Sequence, residues 1–135
     1  MNIIFGIVVV TLVITIVLTL YVLYATGKRG ISKSDRTYIQ KQWYKLKVQE
    51  SAAPKLALVE ADTLLDFTLE KLRYTGTLGD KLKVAHPLFS DREGVWEAHK
   101  LRNRVVHEIE FVPSSNDFRR AMYQFERALK DLRAL

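Results

Sequence analysis

Four side chains on one short stretch have the types and spacing to act on a phosphodiester. Within 95–112, VWEAHKLRNRVVHEIEFV, residues His99, Asn103 and His107 are successive i, i+4 neighbours, and Arg102 lies in the same turns. An imidazole titrates near neutral pH, so one can take a proton from a ribose hydroxyl while another delivers one to a departing oxygen. A guanidinium offers a fixed fork of donors to a phosphate as its charge grows in the transition state. Asn103, one turn before His107, can fix the imidazole tautomer or contact the phosphate. Five residues leave Arg102 and His107 about 140° apart around an ideal helix, so they do not converge within one chain, whereas two copies facing each other can bring them together. His99 and His107 stand about 12 Å apart along the axis, too far to share a metal ion, so neither a metal nor a cofactor is expected.

The segment that must position these groups reads as an amphipathic helix. Ala98, Leu101, Val105 and Val112 recur at helical spacing beside the row Val95, Arg102, Val106 and Ile109. Ser90 to Glu93 fits a capping box that opens it, and Pro113 closes it. Ser34 and Asp35 suit the start of a helix over 36–49 with Ile39, Trp43 and Leu46 on one face. That helix can lie on a membrane surface or pack as the first of a bundle. Pro54 suits the first turn of a long helix reaching about Arg73, with such wide apolar coverage that it should be central. Its acids Glu60, Asp62, Asp66 and Glu70 read as solvated face charges. Gly76 to Gly79 makes a turn into a short helix ending near Ala85. Ser114 or Ser115 then caps a last helix whose heptad-like row from Phe118 to Leu135 is the clearest in the chain. Trp96 and Phe118 read as core.

No strand-like alternation and no internal repeat is apparent, so the expected class is all-α: an N-terminal transmembrane helix, then an antiparallel bundle of four to five helices. We divide the 135 residues into an anchor with a basic flank (1–30), a juxtamembrane amphipathic helix (31–51) and a helical bundle (52–135). Walker, dinucleotide-binding, zinc-protease and nucleophile-elbow motifs are absent.

Ile3 to Ala25 holds no charge and no proline and spans roughly 35 Å as a helix, enough to cross a bilayer. Its length, and the lack of Lys or Arg before it, argue against a cleaved signal. Tyr21 and Tyr24 suit an interfacial aromatic belt. Thr11, Thr15 and Thr19 can bond back to their own helix or form a small-residue association face. The net charge of +6 is uneven: 26–50 carries +5 and 51–135 only +1. Lys28, Arg29, Lys33 and Arg36 therefore predict a cytoplasmic flank at anionic lipid and a single-pass inner-membrane topology with the N-terminus outside. The chain has no cysteine, hence no disulfide framework and no thiol chemistry.

Arg102, Asn103 and His107, with three residues between the Asn and the His, resemble the signature of the HEPN superfamily (higher eukaryotes and prokaryotes nucleotide-binding): an Arg, often followed by a polar residue, with a His four to six positions further on. The upstream helix LALVEADTLLDFTLEKL and the glycine turn before Asp80, Lys81 and Leu82 extend the resemblance to small bacterial members over about Lys55 to Leu132. The resemblance implies RNA cleavage by 2′-hydroxyl attack, without a metal, at a site shared across a homodimer. Arg102 and His107 would be catalytic and Asn103 would position the substrate. A toxin-like or defensive role is one expectation, and a catalytically silent module that binds a protein or nucleotide at the inner membrane face is the alternative. On the residues alone, Arg102 can instead pair with a carboxylate such as Glu97 or Glu108, and neither His86 nor His99 is assigned a role.

Overall fold

The computed structural model describes residues 2–25 and 30–135, and it is all-helical among them, as the sequence predicts. Helix α1 (Asn2–Ala25) is the one described helix long and apolar enough to cross a membrane, and the window that qualifies it is wholly unburied. Its threonines resolve as ordinary back-bonding: Thr11 Oγ1 donates to Val8 O, Thr15 to Thr11 O and Thr19 to Thr15 O at 2.7–2.9 Å. Lys28 and Arg29 and the side chain of Tyr24 lie outside the described residues, so the expectations placed on them lie there too.

The α-helical bundle is built on α3 (Pro54–Lys71), which touches α2 (Lys33–Gln49), α4 (Leu78–Ala85), α5 (Arg92–His107) and α6 (Ser115–Asp131). Centrality follows from its composition: Leu58, Ala61, Leu65 and Leu69 are completely buried, and Leu64 nearly so, a stripe too wide for a helix with one packed face. Ile39, Trp43 and Leu46 of α2 enter the same core, which decides in favour of bundle packing over an inner face laid on lipid.

Several boundaries differ from expectation for local reasons. Ser32 rather than Ser34 caps α2, because its hydroxyl accepts from the Asp35 N–H. Asp91 caps α5 by accepting from the Gly94 N–H, while Ser90 turns to Asp131 of α6 and donates to its carboxylate at 2.7 Å. The largest difference is the end of α5. The chain leaves the helix at Glu108, whose backbone is extended, so α5 stops at His107 and not at Pro113. Ile109 and Val112, placed in the apolar repeat by their spacing, are exposed. Gly76, at φ 95°, supplies the left-handed turn before α4, where Thr77 and Asp80 form a reciprocal capping box. Trp96 and Phe118 are partly buried and packed on the core.

Candidate functional site

Helix α5 is drawn tightly against α6 at its start, and this fixes the rotation of everything beyond. A Cβ at Gly94 would fall 2.4 Å from the carboxamide of Gln124 of α6 and 2.6 Å from the Asp91 carboxylate, so a side chain there would displace the Gln124–Asp91 contact. Val95 and Ala98 are buried in consequence, and the polar stripe one step around the helix, His99, Arg102 and Asn103, turns toward α3.

What it meets there is Asp62, only 3% exposed. Asp62 Oδ1 lies 2.7 Å from His99 Nδ1, and Asp62 Oδ2 lies 3.1 Å from Arg102 Nε. Arg102 Nη1 donates to Asn103 Oδ1 at 2.9 Å, and Asn103 Nδ2 lies 3.2 Å from His99 Nε2. The four side chains thus close a ring. Donor and acceptor rules fix its direction. A guanidinium only donates, so the amide oxygen of Asn103 faces it and the amide nitrogen faces His99. Nε2 must then accept, and Nδ1 carries the proton it gives to Asp62. The Arg102 Nε–H is buried and off the line of a hydrogen bond, so its contact with Asp62 is an ion pair. A carboxylate this buried is tolerated because both oxygens are engaged, one by an opposite charge.

The ring forms one wall of an open groove with Thr63, Asp66, Thr77, Leu78 and Gly79. Lys81 of α4, nearly buried, donates to Asp66 at 2.8 Å and ties α4 against α3 at the groove's edge. Trp96 packs near the His99 ring and within 3.7 Å of where a Gly79 Cβ would stand. Among the described residues no three His, Asp or Glu side chains are grouped so as to hold a metal ion.

The structure therefore brings together Arg102 and Asn103 but not Arg102 and His107. His107 is the last residue of α5, exposed, with no side-chain hydrogen bond or ion pair among the described residues. Glu97 and Glu108, the carboxylates suggested for Arg102, serve Lys100 and Arg104 instead. Two residues have roles that their spacing alone does not assign. Asp62 is not a solvated face charge, and His99 is the hinge between Asp62 and Asn103. A signal for Asp62 was present: it stands four residues after Leu58, three before Leu65 and seven before Leu69, inside the row that becomes core.

At the start of α5, the Gly94 N–H and the Gln124 carboxamide hold the Asp91 carboxyl below its ordinary range. The capping acids Asp35 and Asp80 are lowered likewise, chiefly by the Ser32 and Thr77 hydroxyls, and Glu97 by Lys100.

The chain matches no protein-family model, no curated protein and no solved structure. The HEPN resemblance accordingly rests on Arg102, Asn103, His107 and the order of helices around them.

Proposed function

We propose that the chain is a membrane-tethered endoribonuclease of the HEPN type, with its bundle on the cytoplasmic side and its site shared between two copies. The observation that carries this reading is the contrast along α5: Arg102 and Asn103 are held in one orientation by Asp62 and His99, while His107 is exposed and unengaged. A charge-stabilising group benefits from being fixed before reaction, because no reorganisation is then needed as charge develops. A proton-transfer group must be reachable by the substrate.

In this mechanism the ribose 2′-oxygen attacks phosphorus as one His107 removes its proton. The bond to the 5′-oxygen breaks, and His107 of the second copy protonates that oxygen. The products end in a 2′,3′-cyclic phosphate and a 5′-hydroxyl. Arg102 faces the phosphate oxygens and Asn103 orients the chain. Asp62 acts through Arg102, and His99 through Asp62 and Asn103, as positioning residues.

The test is cleavage of single-stranded RNA by the full chain in detergent or vesicles, with EDTA present. Expected are cyclic-phosphate ends, an uncut DNA control of the same sequence and loss of activity in His107→Ala. Activity that needs a metal, or full activity in His107→Ala, contradicts the mechanism. The second reading, a silent binding module, is favoured by the near neutrality of 51–135 and by the engagement of Arg102 with Asp62. A well-folded dimer that cuts no RNA would establish it over the first.

A further inference from the structure

Helix α2 has two faces, and the bundle uses one. Ile39, Trp43 and Leu46 are buried against α3. On the opposite side Lys41, Tyr44, Lys45 and Val48 follow one another at i, i+3, i+4 and i+7, a continuous stripe on a helix. All four are exposed, Tyr44 to 71% and Val48 to 66%.

Among the described residues no acid is ion-paired to the lysines of this face, with Glu60 of α3 sharing only the groove that Lys45 borders. The one acid within α2, Asp35, is drawn to Lys71 of α3 at 3.4 Å, and Lys47 is paired with Glu50. Lys33, Arg36, Lys41 and Lys45 have no side-chain partner among the described residues. Nor is the helix free to wander from the bilayer. The chain from Ala25, where α1 ends, to Lys33 reaches about 28 Å even when fully extended.

We propose that the outer face of α2 rests on the anionic surface of the membrane that α1 crosses, with Lys41 and Lys45 at lipid phosphates and Tyr44 and Val48 among the headgroups. Charge complementarity selects this occupant. A lysine pair flanking a tyrosine and a valine matches an interface that is negative at the surface and apolar just beneath it, and tyrosine, part ring and part hydroxyl, suits that boundary. The bundle would then sit in a fixed orientation on the bilayer, with α2 as its foot. This inference rests on α1 being a membrane span and is independent of any nuclease activity.

Because the chain has no cysteine, one introduced residue gives a unique probe. Full-length Tyr44→Cys carrying an environment-sensitive fluorophore is reconstituted into phosphatidylcholine vesicles with and without phosphatidylglycerol. A second variant, Tyr123→Cys, reports from an exposed site on α6. The label at 44 is expected to shift to the blue and to resist aqueous iodide in anionic vesicles only, and to lose that shielding in high salt. The label at 123 stays in water throughout. Adding Lys41→Glu and Lys45→Glu should return position 44 to water while circular dichroism and membrane retention are unchanged.

Carbonate extraction separates the two claims. A chain stripped by carbonate lacks the anchor, which overturns both. A chain that resists carbonate but leaves position 44 equally quenched in both vesicle types overturns the docking alone. Shielding that survives the charge reversal also overturns it, since the cover would then be protein and not lipid.

Discussion

Helices α3 and α6 keep the same register with different chemistry at one position. Ala61, Leu65, Leu69, Leu72 and Arg73 stand in parallel with Ala121, Phe125, Leu129, Leu132 and Arg133, and the buried and exposed positions alternate almost identically along the two. Both end in the same manner. Arg73 and Arg133 adopt φ 65° and 57°, and the following N–H groups of Tyr74 and Ala134 return to Leu69 O and Leu129 O. Yet Asp62 occupies the place that Met122 occupies in α6, and each is only 3% exposed. Methionine at that depth contributes apolar burial. A carboxylate there must be compensated by partners, and a buried ion pair is often no more stabilising than hydrophobic residues of similar size. The difference is that Met122 fills its helix interface with apolar surface, whereas Asp62 orients His99 and Arg102 at the groove.

The largest effect should come from outside the buried ring. His107→Ala is expected to lower RNA cleavage by about 10²- to 10⁴-fold, the usual contribution of a general acid or base, while its melting temperature stays that of wild type because the side chain is exposed. Parallel activity and thermal-melt measurements decide this. A large loss of stability would place His107 in the structure and not in the chemistry.

Inside the ring the consequence is reversed. Asp62→Ala should destabilise the fold by about 3 kcal/mol, toward the lower end for breaking a buried ion pair, because Arg102 keeps 24% of its side-chain surface exposed and can turn to water. Replacing both charges, Asp62→Leu with Arg102→Met, should recover much of that loss and bring α3 closer to α6 in character. Denaturant midpoints check both. Recovered stability with no recovered activity sharpens the comparison, whereas a double variant as unstable as Asp62→Ala breaks it.

Much of this architecture can be read from the chain. The wide apolar coverage of 54–71, the glycine turn before α4 and the serine cap of α6 are local signals, and these three stand where their residues predict. The ring was not legible because its partners come from two helices. Periodicity places Asp62 in the core row and His99 beside Ala98, but says nothing of the rotation that brings them within 2.7 Å. The end of α5 departs from its periodicity for the opposite reason. Ile109 and Val112 keep helical spacing, but with Glu108 extended they bury nothing, and Arg104 stacks its guanidinium 3.8 Å over Phe111 across the bend.

A smaller effect concerns acid. Asp35, Asp80, Asp91 and Glu97 all have folded pKa values lowered from those of the free side chains. Each contributes stability that is present above its unfolded value and lost as pH falls through the folded one. The melting temperature should therefore be nearly flat from neutral pH to about 5 and fall below about 4, and Asp91→Asn should flatten that fall. The smallest effect is expected at the shared helix ends. Arg73→Gly and Arg133→Gly relieve a left-handed backbone and should each stabilise by about 0.5 kcal/mol, the residue of strain relief over glycine's greater chain entropy. Equal gains at the two sites would confirm that α3 and α6 are closed alike.

The central claim, that Asp62 is buried to hold Arg102 for catalysis, is tested most directly by a double-mutant cycle on the rate of RNA cleavage. Wild type, Asp62→Asn, Arg102→Ala and the double variant are compared in the full-length protein, each first shown to be folded. If Asp62 acts through Arg102, both single variants lose activity, Arg102→Ala by about 10²- to 10³-fold, and the double variant is no slower than Arg102→Ala. Losses that simply multiply, or a folded Asp62→Asn that cuts RNA at the wild-type rate, would contradict the account.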